Sequence, residues 1–285
     1  VAIEGLECEE RTEPVARAVA ALAGRSISVL TGAGLSTDSG IPDYRGPQSR
    51  RRTPMTAQDF VGDEDKRRRY WVGSHLGWKT FAGTRPNAGH AALAALERVG
   101  VVNGLVTQNV DGLHLRAGSR RVVELHGDMR GVTCLDCGAR TSREEVAARI
   151  AQDNPVLAVP EAIELGPDGD VLPSTWDGVK VPACTVCGGV LKPDVVFFGE
   201  LVPRERTQEA ERIVDESGAL LVAGSSLAVN SGVRLVERAS RRGMPIVIIN
   251  RGPTKGDRRA DVKIDAGTSE TLASLAAALA PTPSV

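Results

Sequence analysis

Aromatic side chains are scarce in this chain, at 3% of its 285 residues. Proteins that grip single-stranded nucleic acid stack bases on such rings, so that mode has little to work with. Excess charge of one sign is also missing. The 35 Lys and Arg are matched by 36 Asp and Glu, leaving a formal net charge of −1. No phosphate-neutralising surface is expected, which argues against nucleic acid as a partner. No apolar run reaches the roughly 18 residues of a membrane span, so no membrane partner is expected. The first stretch holds Glu4, Glu7, Glu9 and Glu10 without an apolar core, unlike a secretory leader or an Arg-rich transit peptide. A reducing, cytoplasmic setting is the expectation. The length is enough to bury a core without covalent staples. Nothing in the sequence speaks to oligomeric state.

Cysteine is sparse too, with five in all. Four of them fall in two C-x-x-C pairs, Cys134-Leu135-Asp136-Cys137 and Cys184-Thr185-Val186-Cys187. In a reducing compartment this spacing points to metal rather than to disulfides. Four thiolates fill the tetrahedral shell of one zinc ion and leave no open position, so the ion would be structural. Gly138, Gly188 and Gly189 suit the tight bends of such a site. Two redox dithiols are the other reading of the same spacing. Cys8 is left over in a charged stretch and has no expected role.

What is plentiful is short, continuous β-branched and apolar runs. They are Ile27–Leu30, Leu105–Thr107, Val122–Leu125, Ala219–Val222, Pro245–Ile249 and, more weakly, Val262–Ile264. Such runs suit strands covered on both faces. Helical spacing lies between them at Thr12–Ala23, Asn87–Val99, Arg206–Ser217, Gly232–Arg242 and Glu270–Ala280, the last behind a Thr268-Ser269 cap. The alternation predicts an α/β fold with a doubly wound, Rossmann-like parallel sheet. Two stretches break the rhythm. Residues 47–85 are polar and basic, and 131–195 carry the cysteines with many Pro and Gly. The expected division is a discontinuous dinucleotide-binding domain of residues 12–46, 86–130 and 196–285. Residues 47–85 and 131–195 then form a smaller zinc-ribbon and helical lobe. Two basic runs, Ser49–Arg52 and Lys66–Arg69, read as solvated faces, and the first also as a phosphate contact.

Candidate chemistry sits at the ends of the strands. Gly32 and Gly34 follow the first strand, where a backbone that approaches a pyrophosphate cannot carry a Cβ. A dehydrogenase also needs an acid about 20 residues on to hold a ribose hydroxyl. Here that window is Arg50-Arg51-Arg52-Thr53-Pro54, so hydride transfer is disfavoured. Gly40-Ile41-Pro42-Asp43-Tyr44-Arg45-Gly46 is too specialised for a plain connector. Thr107-Gln108-Asn109-Val110-Asp111-Gly112-Leu113-His114 places amides and a carboxylate beyond the next strand, either as ligand groups or as a capped loop. His126 ends another apolar run, either as a general base or as a satisfied structural histidine. Lys192–Glu200 returns from the cysteine-rich stretch, and Gly224–Val229 closes a strand with small residues.

Together these motifs resemble the sirtuins, the NAD-dependent protein deacylases, in order and over roughly residues 14–280. The residues that carry the resemblance are GAGLS, GIPDYRG, TQNVDGLH, the His126-Gly127 pair, both C-x-x-C pairs, KPDVVFFGE, GSSLAV and Ile249-Asn250. GLSTDSGIPDYRG, Tyr70-Trp71, Gly77-Trp78, ELGPDGDV and VLKPDVVFFG look most like the class II branch, which contains the mitochondrial sirtuin 4. Arg251-Gly252 after Asn250 departs from the family's pattern at the adenine end.

The resemblance implies an enzyme that consumes NAD and carries one structural Zn2+. An acyl-lysine protein or peptide would lie as a strand between Val195–Glu200 and Gly224–Val229. Its acyl oxygen would attack C1′ of the nicotinamide ribose, releasing nicotinamide. His126 would then be the base for a ribose hydroxyl, giving O-acyl-ADP-ribose and free lysine. Gly32, Ala33, Gly34 and Ser36 would hold the pyrophosphate. Asp43, Val110 and Asp111 would hold the carboxamide, with Tyr44 and Arg45 near the reacting ribose and Gln108 and Asn109 on it. Gly224, Ser225, Ser226, Asn250, Arg251, Gly252 and Thr268 would hold the adenosine half. Cys134, Cys137, Cys184 and Cys187 would be the zinc ligands. Family members that take acidic acyl chains place an Arg three residues after a Tyr. Here Tyr70 is followed at that distance by Gly73, so acetyl or longer neutral acyl groups are expected. Protein mono-ADP-ribosyl transfer from the same NAD site is the alternative activity.

Overall fold

The computed structural model describes residues 13–46, 53–157 and 163–280. Cys8, the N-terminal acids, the Thr12 cap, Ser49–Arg52 and the end of the chain lie outside the described residues.

Six strands form one parallel sheet in the order β3-β2-β1-β7-β8-β9. They are β1 (Ile27–Thr31), β2 (Val102–Thr107), β3 (Val122–Glu124), β7 (Ala219–Ala223), β8 (Ile246–Ile249) and β9 (Val262–Ile264). All six apolar runs are therefore strands, and β1 and β7 are buried along their whole length. Their side chains alternate between two cores, as a pleated strand requires. Ile27, Val29, Ala219, Leu221, Val247 and Ile249 join one face, with α1 (residues 13–22), α4 (Ala88–Arg98) and α9 (Thr268–Leu279). Leu30, Leu220, Val222, Ile246 and Ile248 join the other, with α7 (Arg204–Asp215) and α8 (Asn230–Arg241). The strand order reverses between β1 and β7, and the helices α4 and α8 that follow them pack on opposite faces. That divergence opens the crevice where such sheets bind ligands.

Three helices start two residues earlier than the sequence reading: α7 at Arg204, α8 at Asn230 and α9 at Thr268. Thr268 is the first residue of α9 and not its cap; Gly267 stands in the cap position without a side-chain bond. The Thr268 hydroxyl instead donates to the Gly34 carbonyl at 3.2 Å, tying α9 to the loop after β1.

A second sheet is antiparallel, in the order β5-β4-β6, from β4 (Gly127–Cys134), β5 (Arg140–Ser142) and β6 (Leu191–Val195). The boundary expected at 130/131 falls inside β4. The stretch 47–85, unassigned from sequence, holds α2 (Ala57–Gly62) and the 20-residue α3 (Glu64–Gly83). Lys66 pairs with Asp59 at 2.6 Å and Arg68 with Glu64 at 2.7 Å, all partly solvated, so this basic run is a solvated helix face. α5 (Leu113–Arg116) is a single turn, and α6 (Arg143–Asp153) starts in a Ser142/Glu145 capping box. Trp71, Trp78, Phe81, Met129, Val132, Val146 and Leu191 share the core between α3, α6 and this sheet.

Candidate active site

The loop after β1 lies directly on the loop after β7. Gly32 N donates to Ala223 O at 3.1 Å, and Gly34 N to Gly224 O at 2.9 Å. A Cβ on Gly32 would stand 2.8 Å from Gly224 O, and one on Gly34 would stand 3.0 Å from Gly224 Cα. These glycines are thus required first by the neighbouring backbone, whatever a ligand adds.

The loop after β2 completes this floor. Asn109 is buried, and its amide donates to Gly32 O at 3.1 Å and Ser36 Oγ at 3.0 Å. Ser36 in turn donates to Asp111 at 2.7 Å. Burial raises the Asp111 pKa, opposed by hydrogen bonds from Leu113 N–H and Ser36. Gln108 spans both loops: its side-chain oxygen accepts from Ser225 Oγ at 2.6 Å, and its backbone N donates to Thr31 O at 2.9 Å. Ala33, Ser36, Tyr44, Gln108, Asn109 and Asp111 line a pocket of about 30 Å³, with Pro167 and Asp168 on its rim side. A space of that size holds roughly one or two waters.

His126 is attached to the same frame, in the half-buried turn between β3 and β4. Its Nδ1 lies 3.0 Å from the Gln108 carbonyl, which can only accept. Nδ1 therefore carries the proton, and Nε2 is the free base. Nε2 lies 2.9 Å from Ser231 Oγ, in the first turn of α8. Burial lowers the His126 pKa, with the Gln108 carbonyl opposing and Arg206 adding to the effect. The imidazole is then neutral at neutral pH, the state a general base needs.

The remaining expected residues are more spread out. Tyr44 reaches across to Asp168 at 2.5 Å and stands edge-on to Phe198. Arg45 donates to Ser226 Oγ at 3.2 Å. The Asp43 carboxylate accepts from Gly46 N at 2.6 Å, within its own turn. Asn250 is buried at the end of β8, where its amide donates to Arg251 O at 2.7 Å. Val110 is buried and its carbonyl accepts from Met129 N. Leu227, at φ 54, is the one non-glycine residue of positive φ among the described residues. Its fully buried side chain holds the Gly224–Val229 loop in that conformation. After β6, Val196 N donates to His126 O at 2.8 Å, and Lys192 braces the turn by donating to Val195 O and Glu200.

The four paired cysteines come together although two knuckles supply them. Their sulfurs all lie within 4.8 Å of one another, with Cys134–Cys187 at 3.6 Å and Cys137–Cys184 at 3.8 Å. A tetrahedron of metal–sulfur bonds near 2.3 Å has edges of about 3.8 Å. These distances fit zinc and are far beyond a disulfide. One convergent cluster also replaces the reading of two separate dithiols. Asp136 links the knuckles by accepting from Val190 N at 2.9 Å.

Tyr70 packs on Phe60 and Phe197 at 5.3 and 5.2 Å. Arg143 is fully buried nearby, between the rings of Trp71 and Trp78, and donates to Ser74 Oγ at 3.1 Å. Sequence reasoning missed Ser231, Arg143 and Asp168. Ser231 had one signal, its place just past GSSLAV at a helix start. Asp168 lay inside ELGPDGDV, quoted for the family likeness without a site role; Arg143 had no signal.

A family model described as "Sir2 family" matches residues 32–231. A Mycobacterium avium protein named NAD-dependent protein deacetylase 1 is 54% identical over 269 residues, covering 93% of this chain and 95% of the relative. A Bos taurus protein named NAD-dependent protein lipoamidase sirtuin-4, mitochondrial, is 46% identical over 87% of this chain and 81% of its own. A solved structure described as Sir2 with a p53 peptide and NAD+ is 30% identical, with a TM-score of 0.72 over 92% of this chain and 94% of that one. Another, from work on the mechanism and regulation of Sir2 enzymes, is 32% identical, with a TM-score of 0.75 over 94% and 98%.

Proposed function

The chain belongs to the Sir2 family, and from that premise we propose how its own residues carry out NAD-dependent deacylation of protein lysines. The reaction releases nicotinamide and O-acyl-ADP-ribose. One observation supports the site assignment above the others: Gln108 grips the β7 loop through Ser225 and, with its carbonyl, fixes the tautomer of His126. The base is thereby locked to the crevice at the switch point. His126 Nε2 takes the proton of a ribose hydroxyl, while Gln108 and Asn109 hold that ribose, Asp111 the carboxamide and Ser36 the pyrophosphate. Gly32, Ala33, Gly34, Gly224, Ser225 and Ser226 form the bed of the pyrophosphate and adenosine, with Asn250, Arg251, Gly252 and Thr268 further along the same sheet edge. Asp43, Tyr44, Arg45 and Val110 complete the nicotinamide end. Zinc held by the four cysteines would supply no chemistry and would pin the two knuckles.

We assign the chain to the class II branch, supported by its 46% identity to a relative named for sirtuin-4. Acetyl and longer neutral acyl groups are the substrates, because Gly73 and not an arginine follows Tyr70 at the third position. Arg143 comes near Tyr70, but its guanidinium is already stacked between two indoles and bonded to Ser74. A cytoplasmic setting is proposed for the chain. Among the described residues no helix is long and apolar enough to cross a membrane. The test is an NAD-dependent panel of acetyl, lipoyl and succinyl forms of one peptide, read by mass, with His126→Ala as control. Acetyl and lipoyl peptides should turn over and the control should not; fast desuccinylation overturns the neutral preference.

A further inference from the structure

His126 has two ring nitrogens and two partners, and the second partner comes from an element absent from the expected site. Ser231 Oγ lies 2.9 Å from Nε2. Because Nδ1 holds the proton facing Gln108 O, Nε2 offers a lone pair and the serine hydroxyl is the donor. The next residue fixes the helix at this spot: a Cβ on Gly232 would come within 3.0 Å of the Gln108 amide. The first turn of α8 thus rests on both Gln108 and His126. The hydroxyl is placed by helix backbone and not by a flexible arm.

We infer that Ser231 is a positioning residue for the base, holding the imidazole between α8 and the Gln108 carbonyl with Nε2 as acceptor until a ribose hydroxyl replaces it as donor. The inference rests on the reading of His126 as that base. In the exchange, the ribose O–H comes to Nε2 and gives it the proton, while the serine hydroxyl turns away with its own proton. The hydroxyl can turn to accept from Nε2–H when the ring is protonated, so the contact holds the ring's orientation in both states. The charged group that acts on the ring is Arg206 on α7, paired to Asp194 on β6 at 3.1 Å; Glu124 on β3 and Asp128 on β4, the latter paired to Arg130 at 2.7 Å, line a cleft with Arg206. None of these is altered by a change at Ser231.

The experiment compares the full chain with Ser231→Ala, Ser231→Thr and His126→Ala. Two rates are followed from about pH 5.5 to about pH 8.5. Exchange of labelled nicotinamide into NAD reports the step before the base acts, and O-acyl-ADP-ribose formation reports the step that needs it. Ser231→Ala should slow product formation about 3- to 10-fold, the worth of one hydrogen bond. Exchange, Tm and the position of the acid limb should be unchanged, and Ser231→Thr should restore the rate. Product formation equal to the parent's in Ser231→Ala overturns the inference. So does an equal fall in exchange and product together with a lowered Tm, which marks a merely structural role. If His126→Ala forms product at the parent rate, the reading of the base itself fails, separately from Ser231.

Discussion

His90 and His114 lie ring against ring, 4.8 Å between centroids, and both are buried. Burial pushes the His90 pKa from 6.5 down to about 4, and holds His114 well below its usual value with His90 adding to the effect. Above pH 6.5 neither the folded nor the unfolded chain protonates His90 appreciably, and the stability is fully present. As pH falls below 6.5 the unfolded chain takes up a proton that the folded chain refuses. Stability is then lost at up to about 1.4 kcal/mol per pH unit for this group until about pH 4. Urea unfolding should show a lower midpoint at pH 5 than at pH 7. His90→Gln, which keeps a partner for the Asn87 capping box, should flatten that slope. Arg143 raises a different question, since burial draws its pKa down to about 10 while its Nε and Nη1 have no hydrogen-bond partner. Stacking on two indoles is what compensates. Arg143→Ala should cost about 3 kcal/mol by emptying the space between the rings. Arg143→Met, which fills it without a charge, should cost under about 1 kcal/mol or stabilise. Chemical denaturation of the two variants decides between them.

Loops and strands carry these side chains, and their contacts make further demands. A methyl group at Gly32 would press on Gly224 O and Ser225 Cβ, neither of which is a flexible tip. Gly32→Ala should therefore move the β7 loop, raise KM for NAD about 10-fold or more and cost about 1–3 kcal/mol. Steady-state kinetics at varied NAD and a thermal melt test this. β4 and β6 act as one lever. They leave the cysteine knuckles at Cys134 and Leu191 and end beside His126, where Val196 N meets His126 O. Cys134→Ser should lose both zinc and deacylation although no cysteine touches the crevice. Metal analysis with a turnover assay checks it, and full activity in zinc-free protein would refute the lever. Some elements were legible beforehand and some were not. The six parallel strands were, because burial on both faces demands uninterrupted apolar runs. α3 was not, because it carries Gly73 and Gly77, poor helix formers, where Val171 and Gly169 of a neighbouring segment press in. α6 announced itself by Ser142-x-x-Glu145, but the surrounding Pro, Gly and Cys masked the signal.

Across the whole molecule, the parallel sheet has two complete cores of its own, whereas the antiparallel sheet has three short strands and shares its core with α3 and α6. The smaller unit should depend on zinc for its fold and the larger one should not. Chelation should split the thermal transition in two, an early one for the residues around β4–β6 and a later one for the sheet. Hydrogen exchange during chelation should lose protection first at Val132–Cys134 and Leu191–Val195. A single transition at an unchanged temperature would mean that the two units stand or fall together without the metal.

Motif identity and order by themselves determined the family, the parallel sheet, the zinc cysteines and the candidate base. Each of those depends on local covalent neighbours: a C-x-x-C turn, a β-branched run, a glycine after a strand. Only the tertiary structure decided what the glycines of TGAGLS touch, which ring nitrogen of His126 is free, that Thr268 binds Gly34 and not its own helix, and that Ser231 and Arg143 reach the sites they do. Those facts depend on how α8, α9 and α6 are set against strands up to a few hundred residues away in sequence. Packing fixes such distances, and no pattern along the chain encodes them directly.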